Sequence, residues 1–194
     1  MAVLMTLDVP GGTTAMYDRS NEILGITGEQ DAPPGLIAHA CAVTDDGIVV
    51  MDVWHSVSSL DDFALNRLAA AFAEVGMPKA SPQISPVHDL IFGAGTQPNV
   101  LVLLQAPGLT ADAYDTIAAR LPSHAGGGEN HPAVVFVAAT EPDGCRFAGL
   151  WESKAVYTEF LQRELAPAVG DPRHLVLRLW PVHSSLRVKP AATA

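Results

Sequence analysis

"MDVWHSVSSLDDF" at 51–63 and "AGLWESKAVYTEF" at 148–160 carry Trp, Ser and Phe at the same three places. Trp54 and Trp151, Ser56 and Ser153, and Phe63 and Phe160 all stand 97 residues apart. Each stretch runs from apolar residues through a Ser suited to cap a helix into apolar residues at helical spacing, so each reads as a strand-to-helix junction. The same offset continues outward. "VLMTLDVPGGTTAMYD" (3–18) lies on "VLVLLQAPGLTADAYD" (100–115), matching Pro10-Gly11 to Pro107-Gly108 and Tyr17-Asp18 to Tyr114-Asp115. "TDDG" (44–47) falls on "EPDG" (141–144), and after a two-residue deletion Pro86-Val87-His88 meets Pro181-Val182-His183. The chain is an internal duplication.

Each copy reads as the same string of elements. In the first, 2–9 is a strand, Pro10-Gly11-Gly12 breaks it, and Thr13 or Thr14 caps a helix to about Ile26. Residues 36–43 and 48–55 form a hairpin about Asp46-Gly47. Ser58 or Ser59 caps a second helix with Leu60, Phe63, Leu68 and Phe72 on one face, and 81–90 is a fourth strand. The order β-α-β-β-α-β is the ferredoxin-like unit. We therefore expect an α+β fold: repeats at 1–92 and 100–188, a linker at 93–99 and a tail at 189–194. A four-stranded sheet with both helices on one face leaves the other face bare, and two copies in one chain can cover it by packing sheet to sheet into a barrel.

Composition narrows the function. The 194 residues are 48% hydrophobic and 16% charged, enough apolar material for a core and too little charge for disorder. The net charge of −10 and the lack of any basic run argue against a nucleic-acid partner. Apolar runs such as "NVLVLLQAPG" are strand-length, so no membrane span is expected, and with no signal-like N-terminus the expected location is cytoplasmic. Cys41 and Cys145 form neither a metal spacing nor a disulfide framework. No nucleophile elbow or phosphate loop is present.

The copies differ where chemistry could sit. A two-residue turn at Asp46-Gly47 would set His39 opposite Trp54 and Cys41 opposite Asp52, all on one strand face. Met51 and Val53, on the other face, suit the helix-covered side, so the polar face is expected to look into the barrel. In the second copy these positions are Phe136, Ala138, Gly149 and Trp151, while Gln83 and Ser85 become Arg178 and Trp180. Burying His, Cys and Asp is costly unless they are paired or line a cavity. Two readings follow: His39 and Asp52 bonded in a filled core, or a polar cavity in the N-terminal half closed by Arg178 and Trp180, with the C-terminal equivalent filled by Phe136 and Trp151. A metal site from His39, Asp52 and His88 has no supporting local spacing. Tyr17 and Tyr114 read as packing residues, and His124 and His131 as loop residues.

The repeat with "DG", then "W(H/E)S", then "PVH" resembles the dimeric α+β barrel superfamily, within it the antibiotic-biosynthesis-monooxygenase-like proteins of actinobacteria. The matching positions are His39, Asp52-Val53-Trp54-His55-Ser56 and Pro86-Val87-His88. The first copy departs in having His55 where Glu is usual, and the second keeps Glu152 but lacks the His and the Asp. The resemblance implies a hydrophobic pocket between sheet and helices, used for cofactor-independent oxygenation, haem degradation, isomerisation, or no known reaction. Fold does not choose among these. The expected function is a pocket for a hydrophobic small molecule, with cofactor-independent oxygenation or isomerisation of an enolisable or phenolic substrate as its chemistry. No cofactor or metal is expected, and a homodimer is compatible with the reading. His39 would be the general base, with Asp52 orienting it. Cys41, Trp54, His88, Phe136, Trp151 and Trp180 would contact substrate, and Arg178 would stabilise an enolate. The alternative is a non-catalytic ligand- or haem-binding protein. Phe136 at the position of His39 also leads to the expectation that His39→Phe folds as well as the parent.

Overall fold

A computed structural model describes residues 1–125, 128–169 and 175–188. The expected tail at 189–194 lies outside the described residues. The first repeat runs β1 (Val3–Pro10), α1 (Thr14–Leu24), β2 (Leu36–Val43), β3 (Gly47–Trp54), α2 (Val57–Phe63), a π-helical turn (Ala64–Leu68), α3 (Ala69–Val75) and β4 (Gln83–Phe92). The second runs β5 (Val100–Pro107), α4 (Ala111–Ala118), β6 (Val135–Glu141), β7 (Gly144–Trp151), α5 (Lys154–Phe160), a π-helical turn (Leu161–Leu165), α6 (Ala166–Val169) and β8 (Val176–Arg187). The hydrogen-bonded strand order β1-β3-β2-β8-β5-β7-β6-β4 closes on itself. The tandem ferredoxin-like barrel expected from the sequence is therefore the fold. By compactness the chain divides into Met1–Ile84 with the segment from His183 onward, and Ser85–Val182. These are called the N-terminal and C-terminal units.

The duplicated junction has a local cause. Ser56 Oγ accepts from the Ser59 N–H, and Ser153 Oγ accepts from the Val156 N–H, so each repeat caps its second helix with the Ser that follows the Trp strand. This places the cap one turn earlier than Ser58 or Ser59. The first helix is capped by Thr13 and ends at Gly25, whose φ of 69° suits glycine.

The hairpin register differs from the expected one by two residues. Val43 pairs with Ile48 and the Thr44 N–H bonds the Gly47 carbonyl, so Asp45-Asp46 forms the tip. His39 consequently faces Asp52 rather than Trp54, and Cys41 faces Val50 rather than Asp52. Gly47 is thereby a strand residue instead of a turn residue. It pairs with Pro10, and a Cβ there would run into the Val9 carbonyl. Close approach of β1, not turn conformation, requires this glycine. Gly144 repeats the arrangement against the Ala106 carbonyl.

The slip of two preserves the face but the expected side is reversed. In the N-terminal unit Met5, Leu7, Cys41, Val50 and Trp54 pack with Tyr17 of α1, Phe63 and Phe72, so this face lies beneath the helices. Leu4, Ala38, Ala40, Val49, Met51 and Val53, on the opposite face, are fully buried as well. With both faces buried, aliphatic character carries no information about which side the helices cover.

Candidate functional site

The polar site of the N-terminal unit is built from two neighbouring strands and one helix. β2 and β3 set His39 directly across from Asp52, and α1 lays Tyr17 over them. His39 Nδ1 lies 2.6 Å from Asp52 Oδ1, and His39 Nε2 lies 2.6 Å from Tyr17 Oη. A carboxylate only accepts, so Nδ1–H donates to Asp52; Nε2 then accepts from the Tyr17 hydroxyl. The second oxygen of Asp52 accepts from the Trp54 indole N–H at 3.2 Å. The result is an ordered line, Tyr17 to His39 to Asp52 to Trp54, with side-chain exposures of 14% at His39 and 9% at Asp52.

These four residues line one cavity, with Phe63 and Phe72 among its apolar walls, and it encloses about 600 Å³ counted out to its mouth. A mostly apolar wall with a few convergent polar groups is the usual character of a small-molecule pocket. Burial pushes the Tyr17 phenol up to about 12, an effect that Ser184 and Asn21 partly offset through hydrogen bonding. Tyr17 thus stays a hydroxyl at neutral pH. Burial also pushes the Cys41 thiol up to about 12, which leaves it unreactive. Of the cavity-lining residues, Phe63 precedes the π-helical turn and Leu68 ends it, a distortion that recurs at functional sites.

Of the residues expected from sequence, His39, Asp52 and Trp54 come together here. Cys41 shares their strand face but sits in the core, outside the cavity lining. His88 is elsewhere: its Nε2 lies 2.7 Å from Asp115 in the C-terminal unit, and its ring meets Tyr114 edge-on. Arg178 is exposed on β8 opposite Leu103, Trp180 is half-buried opposite Leu101, and neither lines the cavity. Among the described residues no group of three or more His, Cys, Asp or Glu is arranged to hold a metal ion.

The C-terminal unit keeps the Tyr and the Trp and loses the line between them. Phe136 replaces His39 and Gly149 replaces Asp52, and these two are strand partners just as His39 and Asp52 are. Tyr114 Oη donates instead to Asp89 Oδ2 at 2.7 Å. Phe136 and Trp151 do not fill the space, contrary to expectation. They line an almost entirely apolar cavity of about 630 Å³, open mouth included. Gly149 explains part of it, since a Cβ there would stand 2.6 Å from Trp151 Nε1. The lopsidedness is one of polarity, not of volume.

Two features escaped the sequence. Tyr17 read as a packing residue, although Tyr17-Asp18 recurs as Tyr114-Asp115 and so carried a signal. His131 read as a loop residue, yet it is fully buried against Phe136, Trp151 and Phe160. Its Nδ1 accepts from the Ala133 N–H, and its Nε2 is buried with no partner among the described residues. Burial, with a smaller contribution from His124, lowers its pKa to about 3. A lone His beside a glycine run gave no periodic cue to that burial.

No protein-family model matches the sequence, and no curated protein matches it. Solved structures do match in fold. A candidate monooxygenase from Lactobacillus acidophilus aligns over 96% of each chain with a TM-score of 0.65 at 13% identity. A second candidate monooxygenase, from Fusobacterium nucleatum, aligns over 96% of this chain and 94% of its own, with a TM-score of 0.63 at 7% identity. An anthrone oxidase-like protein aligns over 100% and 96%, with a TM-score of 0.52 at 14% identity. The chain thus has the dimeric α+β barrel fold, built from a tandem repeat and shared by proteins of diverse description. No helix among the described residues is long and apolar enough to cross a membrane.

Proposed function

We propose that the N-terminal cavity removes a proton from a hydrophobic enolisable or phenolic substrate, the entry step of a cofactor-independent oxygenation or isomerisation. The observation that carries this reading is the line Asp52–His39–Tyr17, polar and paired, ending at an apolar cavity. His39 is the base and Asp52 stabilises the imidazolium it becomes. Both ring nitrogens are engaged, so the proton reaches Nε2 through the Tyr17 hydroxyl, which accepts from the substrate as it donates to His39. A phenol held near 12 makes free tyrosinate unfavourable, so the two transfers are coupled. In an isomerisation the proton returns to a different substrate atom. In an oxygenation the carbanion is oxidised by dioxygen: a methylene becomes a carbonyl, one oxygen enters the product and the other leaves as water.

The likeness in fold to candidate monooxygenases and to an anthrone oxidase-like protein supports the oxygenation branch as a class. The antibiotic-biosynthesis-monooxygenase resemblance of the motifs points the same way. A haem-binding protein fits less well, because ligation of iron would require His39 to give up one of its two short hydrogen bonds.

The test uses anthrone as probe, following deuterium uptake at its methylene by NMR under nitrogen and oxygen consumption under air. His39→Ala should lower both rates by roughly 10²–10⁴-fold, the range for one positioned acid–base group. Tyr17→Phe should lower them as well while weakening anthrone binding by no more than about tenfold, the effect of one neutral hydrogen bond. Exchange by the parent no faster than by buffer, or exchange unchanged in His39→Ala, would sink the proposal.

A further inference from the structure

Among the described residues the C-terminal cavity has no counterpart of the His39 base. It is lined by Tyr114, Phe136, Phe147, Trp151, Tyr157 and Phe160 together with aliphatic side chains, and among the described residues no charged side chain lines it. One polar group on this wall stands out. Tyr157 is buried, and its hydroxyl has no hydrogen-bond partner among the described residues. Tyr114, the other phenol on the wall, is already committed to Asp89. A buried hydroxyl without an acceptor is disfavoured, and the few that native proteins keep usually have a reason.

We propose that the C-terminal cavity is a second, non-catalytic binding site for an uncharged planar aromatic molecule bearing one hydrogen-bond acceptor, such as an aryl ketone, which Tyr157 Oη recognises. The aromatic walls supply the stacking and edge-on contacts that a flat ring system uses. Among the described residues no cation lines the cavity, so a neutral ligand suits it better than a carboxylate or phenolate, whose desolvation these walls would not offset. Burial pushes the Tyr157 phenol up to about 12, so the hydroxyl is present as a donor at all ordinary pH. Among the described residues of this cavity none replaces the base: Phe136 stands where His39 does and Gly149 where Asp52 does. The duplication has thus produced one cavity suited to proton transfer and one suited only to holding a neutral ligand. This inference stands apart from the chemistry proposed for the N-terminal unit.

The test is titration calorimetry with two probes of similar shape, 2-acetylnaphthalene, which offers a carbonyl acceptor, and 2-ethylnaphthalene, which offers none. Tyr157→Phe keeps the ring and removes only the hydroxyl. It should weaken the ketone roughly three- to tenfold and leave the hydrocarbon unchanged, the effect of one neutral hydrogen bond. Ala106→Leu, which fills the cavity from β5, should weaken both probes. Equal affinity of the ketone for the parent and Tyr157→Phe would overturn the proposal, as would binding of both probes undiminished in Ala106→Leu or no binding to the parent. Anthrone exchange read on Tyr157→Phe separates this result from the N-terminal chemistry, which that substitution leaves intact.

Discussion

His39→Phe, the change that the second repeat has already made, tests the site most directly when paired with Asp52→Ala. The imidazole makes two hydrogen bonds of 2.6 Å, one to a nearly buried carboxylate and one to a buried phenol. A phenyl keeps the volume and strands both. Removing one partner of a fully buried pair costs about 3–5 kcal/mol. The residual exposures of 14% and 9%, and the adjoining cavity, let water reach Asp52 and reduce this to about 2–3 kcal/mol. The orphaned Tyr17 hydroxyl adds about 1 kcal/mol. Greater burial of apolar surface by the phenyl returns about 1 kcal/mol. The single variant should therefore be about 2–3 kcal/mol less stable than the parent, not its equal as the repeat comparison alone implies. Adding Asp52→Ala removes the stranded charge, as Gly149 does beside Phe136. The double variant should be more stable than His39→Phe by about 1 kcal/mol or more, with a coupling energy of about 1–3 kcal/mol in the double-mutant cycle. Urea unfolding followed by circular dichroism at neutral pH, with midpoints compared at a common slope, supplies the four energies. A His39→Phe protein as stable as the parent, with the two changes additive within about 0.5 kcal/mol, would refute the network.

Three further outcomes are expected. His131 has a folded pKa near 3, below its unfolded value, so the unfolded chain binds the extra proton between those values; stability should be full above about pH 6.5 and fall as pH drops toward 3. Thermal melts of the parent and His131→Gln from pH 7 to 5, where few carboxylates titrate, should show the steeper decline in the parent, and parallel curves would exclude His131 as the cause. Gly149→Ala should destabilise by about 1–3 kcal/mol, because its Cβ would meet Trp151 Nε1 at 2.6 Å, and unchanged stability would mean that Trp151 moves freely. Ser56→Ala and Ser153→Ala should each cost about 1 kcal/mol through the lost helix cap, while Ser58→Ala should cost much less.

The duplication, the order of elements, the strand face shared by His39, Asp52 and Trp54, and their loss in the second copy were all legible in the chain. They depend on identity and spacing, and a shift of two residues in a hairpin leaves a strand face unchanged. Which side of the sheet that face looks toward was not legible. Both faces are apolar and buried, so hydropathy cannot separate them, and only the docking of α1 with Tyr17 reveals the helix side. The register itself turned on Gly47, where a glycine that reads as a turn signal serves the close crossing of β1. His88 was grouped with the site through the Pro-Val-His motif, and Arg178 and Trp180 through their place on the fourth strand, but none of the three is among the residues lining the cavity. His131, which no pattern marks, is buried by aromatic side chains drawn from β6, β7 and α5. Local spacing determines which residues share a face; what covers that face depends on segments far away in the chain, and that only the folded structure decides.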